Sequence, residues 1–553
     1  MGLLDPLPPP YDPLEWEKKP FAERAKLSCQ AWALQGYGTP LPVVFAYVLK
    51  VGAYIGGWLF FCGFSPELGG LATIGDWWLH PIAFQKAIVW SMLFEVMGFG
   101  CGSGPLTARY MPPLGGCLYF LRPGTTKLPW FEGVPLIGGH RRTILDVMLY
   151  AGLLGVCVWT LISPELSHEQ ILILVILVPL LGLLDKTLFL IARGEHYWTT
   201  LVVFAVATDW IAGAKSVQLA LWFWAGFSKL NHHFPTVVCV MMSNSPIMRI
   251  EAVRKAMYRD YPEDLRPSKL ARVLAHFGTA LEFSVPLVLI WAPEGAPLIV
   301  GMVLMLMLHS YITGNLPMGV PIEWNVMVVY GAFALFWTHP EVTVLDLGLT
   351  PLTGFLVTML VLVPLMGNLF PRWVSFLLSM RYYAGNWPMS VWLFKGESYR
   401  KLDDLVASSP WVEDQLAHFY DRKTALGLLS KVVAFRMMHL HGRALPVLIP
   451  KAVDEVEDYT YVEGEVVSGL VVGWNFGDGH LHNEQLLRAV QAQLNFEPGE
   501  LRCVFVESQP FARPIHNYRL FDAATGLIEE GELSIPEMRS RQPWEAAASA
   551  TGS

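Results

Sequence analysis

Charge is what this chain has little of. Only 16% of its 553 residues are Asp, Glu, Lys or Arg, against about 25% in an ordinary soluble protein. Hydrophobic residues supply 53%, and mean hydropathy is +0.40. A water-soluble globular fold is excluded on that balance, and a polytopic membrane protein is expected. Cysteine is scarce too: seven residues, at 29, 62, 101, 117, 157, 239 and 503, with no CxxC pair. Neither a zinc ribbon nor a disulfide framework is expected, and no metal is called for. The net charge of −8 comes without any basic block, so a nucleic-acid partner is not expected. Met1–Lys19 is proline-rich and acidic, with no apolar run of the kind that marks a cleavable signal peptide.

Apolar runs are plentiful. Stretches long enough for a bilayer lie near 41–63, 82–99, 143–163, 170–192, 197–214, 216–242, 271–292, 295–313, 323–338 and 350–370, so about ten transmembrane helices are expected. Lys and Arg crowd alternate connections. They occur in the N-terminal tail, the 100–142 loop and the 243–270 loop, and are missing from 64–81, 164–169 and 293–294. This positive-inside pattern places the N- and C-termini in the cytoplasm of a multi-pass cell-membrane protein. The expected organisation is a cytoplasmic segment 1–40, a helical membrane domain 41–370 and an interfacial aromatic segment 371–395. A small cytoplasmic α+β domain follows at 396–537, then a disordered tail at 538–553. In the α+β part, helix is expected over Leu402–His441 and Asn483–Leu494. Strands are expected at Leu445–Ile449, Gly464–Trp474, Leu501–Glu507 and Tyr518–Ile528.

Lys229 stands out because it lies within the otherwise apolar run Leu219–Met242. A lysine at the centre of a membrane helix costs roughly 2.5–3.5 kcal/mol even on lenient scales. Other polar side chains in apolar runs are Glu195, His196, Tyr197, His232, His233, Glu282 and His309. Such groups are expected to face one another, either as a buried base with imidazoles or as a structural polar network.

Two further patterns bear on function. The stretch Gly98–Arg142 is dense in glycine and proline and ends in Arg141-Arg142. It reads either as a ligand loop gripping an anionic headgroup or as positive-inside arginines beside a tight turn. Two His-x-His pairs, His439/His441 and His480/His482, chelate only if they converge, and read as surface histidines.

Ala225-Gly226-Phe227-Ser228-Lys229-Leu230 resembles the core signature of the HTTM superfamily, which includes the vitamin K-dependent gamma-glutamyl carboxylases. Glu282 with Pro286, His309 followed by Met318-Gly319, and Asp185-Lys186-Thr187 with Glu195-His196-Tyr197 resemble its other elements. The resemblance covers about residues 143–340. The glycine/proline loop and the C-terminal region resemble instead a bacterial transmembrane family of undefined role. The HTTM resemblance implies a membrane enzyme in which Lys229 deprotonates a reduced quinone of the menaquinone or vitamin K type. His196, His309 and Glu282 would join it in catalysis. His232, His233, Glu195, Tyr197, Arg141 and Arg142 would line the substrate. Two departures argue against glutamate carboxylation itself: Glu195 stands where the carboxylases carry Asn, and the C-terminal domain is smaller and cytoplasmic. The alternative is a non-enzymatic lipid-handling, transport or assembly protein, with membrane lipids as partners and a protein partner recruited by the C-terminal domain.

Overall fold

The computed structural model describes residues 4–100, 115–135, 137–291, 294–315, 322–406 and 409–546. The chain is mainly helical, with a small antiparallel sheet near its C-terminus. Among the described residues, five helices are long and apolar enough to cross a membrane: Leu41–Cys62, Ile144–Ile162, Lys269–Trp291, Ala296–Asn315 and Pro351–Leu369. The ten expected spans are not confirmed: these five meet the length and composition of a span, and three shorter apolar helices, His168–Leu184, Phe234–Asn244 and Ile322–Trp337, do not.

The other apolar runs fail for visible reasons. Pro81–Val96 is buried along nearly its whole length, which is how a helix apolar all round behaves inside a protein. The 170–192 run breaks at Asp185, which ends the His168–Leu184 helix and caps the next one by accepting from Thr187 N at 3.1 Å. The 197–214 run is a helix of only eight residues, Thr199–Val206, entered through a π-turn at Gly194–Trp198. The 216–242 run divides into Ile211–Ser228 and Phe234–Asn244. Ile322–Trp337 is apolar but short.

The segment 371–395 is not an interfacial helix. Residues 376–388 form an irregular strap whose Phe376, Leu377, Ser379, Met380, Arg381, Tyr382 and Ala384 are buried. Met389–Lys395 is already a strand. With a hairpin earlier in the chain (β1, Tyr258–Asp260; β2, Asp264–Pro267), it is β3 of a sheet ordered β4-β3-β5-β6-β7. These are Tyr459–Glu463, Met389–Lys395, Leu501–Val506, Ile515–Asp522 and Gly526–Ser534, all antiparallel. The expected strands at Leu445–Ile449 and Gly464–Trp474 are helices instead, Leu445–Ala452 and Gly464–Val471. Their β-branched residues mislead, while Pro446 in the first turn and the Glu463 cap on Glu465 N decide for helix.

The N-terminal helix Phe21–Gln35 packs on the C-terminal domain, where Trp32 and Phe435 rings lie 5.4 Å apart. The expected tail is ordered at least in part. Met538 is buried, and Gln542 accepts from Leu265 N at 2.9 Å. Residues 547–553 lie outside the described residues.

Candidate functional site

Helix Ile211–Ser228 ends at Lys229 because the next residues cannot continue it. Asn231 Oδ1 accepts from the backbone N–H of His233 at 2.6 Å and of Phe234 at 3.2 Å. Pro235 then opens the following helix. Lys229 is thus the last residue of a broken helix, not the midpoint of a continuous span. Opposite it, Gly226 lets Lys269–Trp291 approach closely: a Cβ there would stand 3.3 Å from the Phe283 ring.

That approach brings Glu282 to Lys229, and the two form a buried ion pair. Lys229 Nζ also donates to Ala225 O and to Tyr382 O, each at 3.2 Å. All three of its hydrogens therefore have acceptors. Beside the pair is a hollow of ≈ 60 Å³ lined by Phe234, Val237, Gly278, Leu308, Tyr311 and Tyr383, among others. Tyr311 is 36% exposed, so the hollow opens at the bundle surface. The arrangement can pass a proton between amine and carboxylate next to an apolar space.

A second charged cluster lies on the other side of Tyr382. Its hydroxyl donates to Glu195 Oε1 at 2.8 Å. Arg193, in the left-handed region at φ 51°, reaches Glu195 at 3.5 Å and Glu95 at 3.6 Å. Lys50 pairs with Glu323 at 3.3 Å. The guanidinium of Arg193 sits over the rings of Trp324 and of Phe476 from the C-terminal domain. Phe511 of that domain stacks on Phe227 at 4.6 Å. The C-terminal domain is therefore docked against the segments that carry Arg193 and Lys229.

Other expected site residues are placed elsewhere. His309 is saturated: Nε2 accepts from Trp222 Nε1 at 2.9 Å, so Nδ1 carries the proton and donates to Asn325 Oδ1 at 2.6 Å. His196 Nδ1 accepts from Trp324 Nε1 at 3.1 Å, and its ring lies 4.6 Å from that of Tyr197. Neither histidine lines the hollow. His232 is exposed, near Arg539. His233 is buried and faces Gln509 and His516 rather than Lys229. Arg142 is buried in an ion pair with Asp185 and donates to Thr125 Oγ1 at 2.6 Å. That is a structural role rather than a headgroup grip. Arg141 is exposed and bridges Thr126 through its backbone. Residues 101–114 of the glycine/proline loop, and Met318-Gly319, lie outside the described residues. The His-x-His pairs are not surface features: His439, His441 and His482 are fully buried. Among the described residues, no three His, Cys, Asp or Glu side chains gather as a metal site requires.

The family described as transmembrane protein of unknown function (DUF3556) matches residues 1–551. The chain belongs to that family. No curated protein and no solved structure matches it. In this DUF3556 protein the hollow beside Lys229 measures ≈ 60 Å³ and opens at the bundle surface. The two histidines expected to hold quinone oxygens, His196 and His309, do not line it.

Sequence reasoning missed Lys50, Glu95, Arg193, Glu323 and Tyr382. Glu95 and Lys50 carried the same signal as Lys229, a charge in an apolar run. That signal does not discriminate by itself. Lys86 and Lys215 also lie in apolar runs, but Lys86 Nζ caps helix ends at Phe61 O (2.8 Å) and Leu161 O (3.0 Å). Lys215 Nζ donates to His339 O and Val342 O in the turn between Trp337 and Val344, both at 2.6 Å.

Proposed function

We propose that this protein is an integral membrane enzyme whose Lys229–Glu282 pair moves a proton to or from the polar head of an isoprenoid or other lipid substrate admitted from the bilayer. The observation that carries this reading is the hollow itself. A buried amine–carboxylate pair borders an apolar space that opens past a half-exposed tyrosine. A paired lysine costs less in the interior than a lone one, yet it still keeps a transferable proton. Only a slim head can reach it, while the apolar remainder lies along the helices. The resemblance of Ala225–Leu230 and Glu282 to the HTTM signature supports the same assignment of base and partner. No step is routed through a quinone.

Mass spectrometry of lipids retained by the purified protein tests the reading. A specific lipid or isoprenoid at near one per chain, lost in Lys229→Ala while the protein stays folded, is the expected result. Bulk phospholipid alone, unchanged by the substitution, sinks it.

A second reading has an observation of its own. All three Lys229 hydrogens are already used, as in a purely structural pair, which suits a lipid-handling or assembly protein. In that case Lys229→Met combined with Glu282→Leu leaves both the fold and the retained lipids unchanged.

A further inference from the structure

Arg381 is the least satisfied charged group described in this molecule. It is wholly buried, and among the described residues none of its three guanidinium nitrogens has a hydrogen-bond partner. No described carboxylate lies within ion-pair distance, although Glu507 and Asp478 act on it through space. An uncompensated buried charge is strongly destabilising, so a fold retains one where something answers it.

The surroundings are built rather than accidental. Arg381 sits on the strap between Met380 (φ 50°) and Tyr383 (φ 53°), two non-glycine residues in the left-handed region. Such backbone is strained and persists only where the surrounding structure holds it. Facing it is the glycine-rich loop Gly473–His480, held against the strap by Phe376, whose ring lies 6.0 Å from that of Phe476. Further buried polar atoms in this region have no protein partner: Asn475 Oδ1 and Nδ2, Asp478 Oδ2 and Ser508 Oγ. The charges nearby are paired with one another rather than with Arg381. Glu507 holds His480 at 3.2 Å, and Asp478 stands 3.6 Å from the same ring. Lys186 donates to His480 O at 3.1 Å. Glu484 is taken by Arg519 and Asp185 by Arg142. Burial lowers the Arg381 pKa to about 10, so it stays charged at neutral pH.

We propose that Arg381 is the recognition residue of an oxyanion site between the strap and the Gly473–His480 loop, taking one carboxylate or phosphate-ester group. The planar guanidinium fork matches such a group with two parallel bonds. Asn475 and Ser508 supply further donors, and one negative charge answers the Arg381 guanidinium. The competing reading is that water bridges Arg381 to Glu507 and Asp478.

Equilibrium dialysis of the full chain in detergent, with radiolabelled inorganic phosphate and in parallel with radiolabelled acetate, separates the two. Saturable uptake of one anion per chain is expected. It should vanish in Arg381→Gln and weaken about tenfold or more in Arg381→Lys, which keeps the charge but not the fork. Dihexanoyl phosphatidic acid competing better than free phosphate assigns the site to a lipid headgroup, and weaker competition assigns it to a soluble anion. No saturable uptake of either anion, or uptake that Arg381→Gln leaves unchanged, overturns the proposal. Should Arg381→Gln fail to fold, an unaltered Kd in Arg381→Lys overturns it equally.

Discussion

Lys229 donates from Nζ to the main-chain carbonyl of Tyr382 at 3.2 Å, and the Tyr382 hydroxyl donates to Glu195 at 2.8 Å. One strap residue thus joins the lysine pair to the Arg193 cluster. Its two contacts separate chemically, because Tyr382→Phe deletes the hydroxyl and keeps the carbonyl. Glu195 Oε2 already lacks a hydrogen-bond partner, so losing the donor on Oε1 leaves a poorly answered buried carboxylate. The expected loss is about 1–3 kcal/mol in stability, read by denaturant unfolding in detergent, with lipid retention at Lys229 preserved. If the retained lipid disappears as well, the two clusters are one functional unit.

Breaking the Lys229–Glu282 pair from one side should cost more than removing it. Lys229→Met or Glu282→Leu alone leaves a buried charge unanswered, a loss of about 3–5 kcal/mol. The double substitution should recover most of that. A double-mutant cycle on unfolding free energies checks it, and simple additivity of the single losses would show that the two groups do not sense each other.

How much of this was readable beforehand depended on whether the signal was local. Lys229 and Glu282 were found because each interrupts an apolar run and each sits in a short motif. The break at Asn231 and Pro235 was also written locally, yet hydropathy averaged over the run concealed it. Pro81–Val96 shows the limit of hydropathy itself, since a helix wrapped in protein and one wrapped in lipid are equally apolar. Tyr382 was out of reach, lying 153 residues from Lys229 in a segment whose aromatics and arginines look like headgroup anchors. Nothing in its sequence distinguishes a buried strap from an interfacial one. The buried histidines were misjudged for the same reason: His439 and His441 are covered by Trp387 of the strap and His516 by His233, contacts no spacing encodes.

Those histidines set a pH dependence. Burial lowers the pKa of His439 to about 3 and of His516 to about 4. Both folded values lie below the ordinary 6.5, so their contribution is fully present above about pH 6.5. It is lost as pH falls towards 4 and then 3, by about 1.4 kcal/mol per pH unit for each group. His480 has the opposite sign. Burial pushes it down, but the Glu507 and Asp478 carboxylates more than reverse that, leaving it above the usual value. Its contribution is complete below pH 6.5 and fades as pH rises through the elevated folded pKa. Stability should therefore peak near about pH 6.5. In unfolding curves from pH 4 to 9, His480→Asn should flatten the alkaline side alone. An acid limb unaffected by removing both His439 and His516 would show that other groups control it.

Lys86 provides the control that the lysine argument needs. It is as buried as Lys229 and lies in an equally apolar helix. Its partners, however, are the last-turn carbonyls Phe61 O and Leu161 O, which ask only for a cation or donor at two helix ends. Lys86→Met should cost about 1–3 kcal/mol by leaving those carbonyls unanswered, while the lipid retained at Lys229 stays in place. The comparison turns on the ratio of the two effects. If Lys86→Met strips the lipid as completely as Lys229→Ala does, the loss reports general loosening of the bundle, and Lys229 has no special claim on the ligand. If stability falls in both variants but lipid is lost only from Lys229→Ala, the difference between a capping lysine and a chemical one is measured directly.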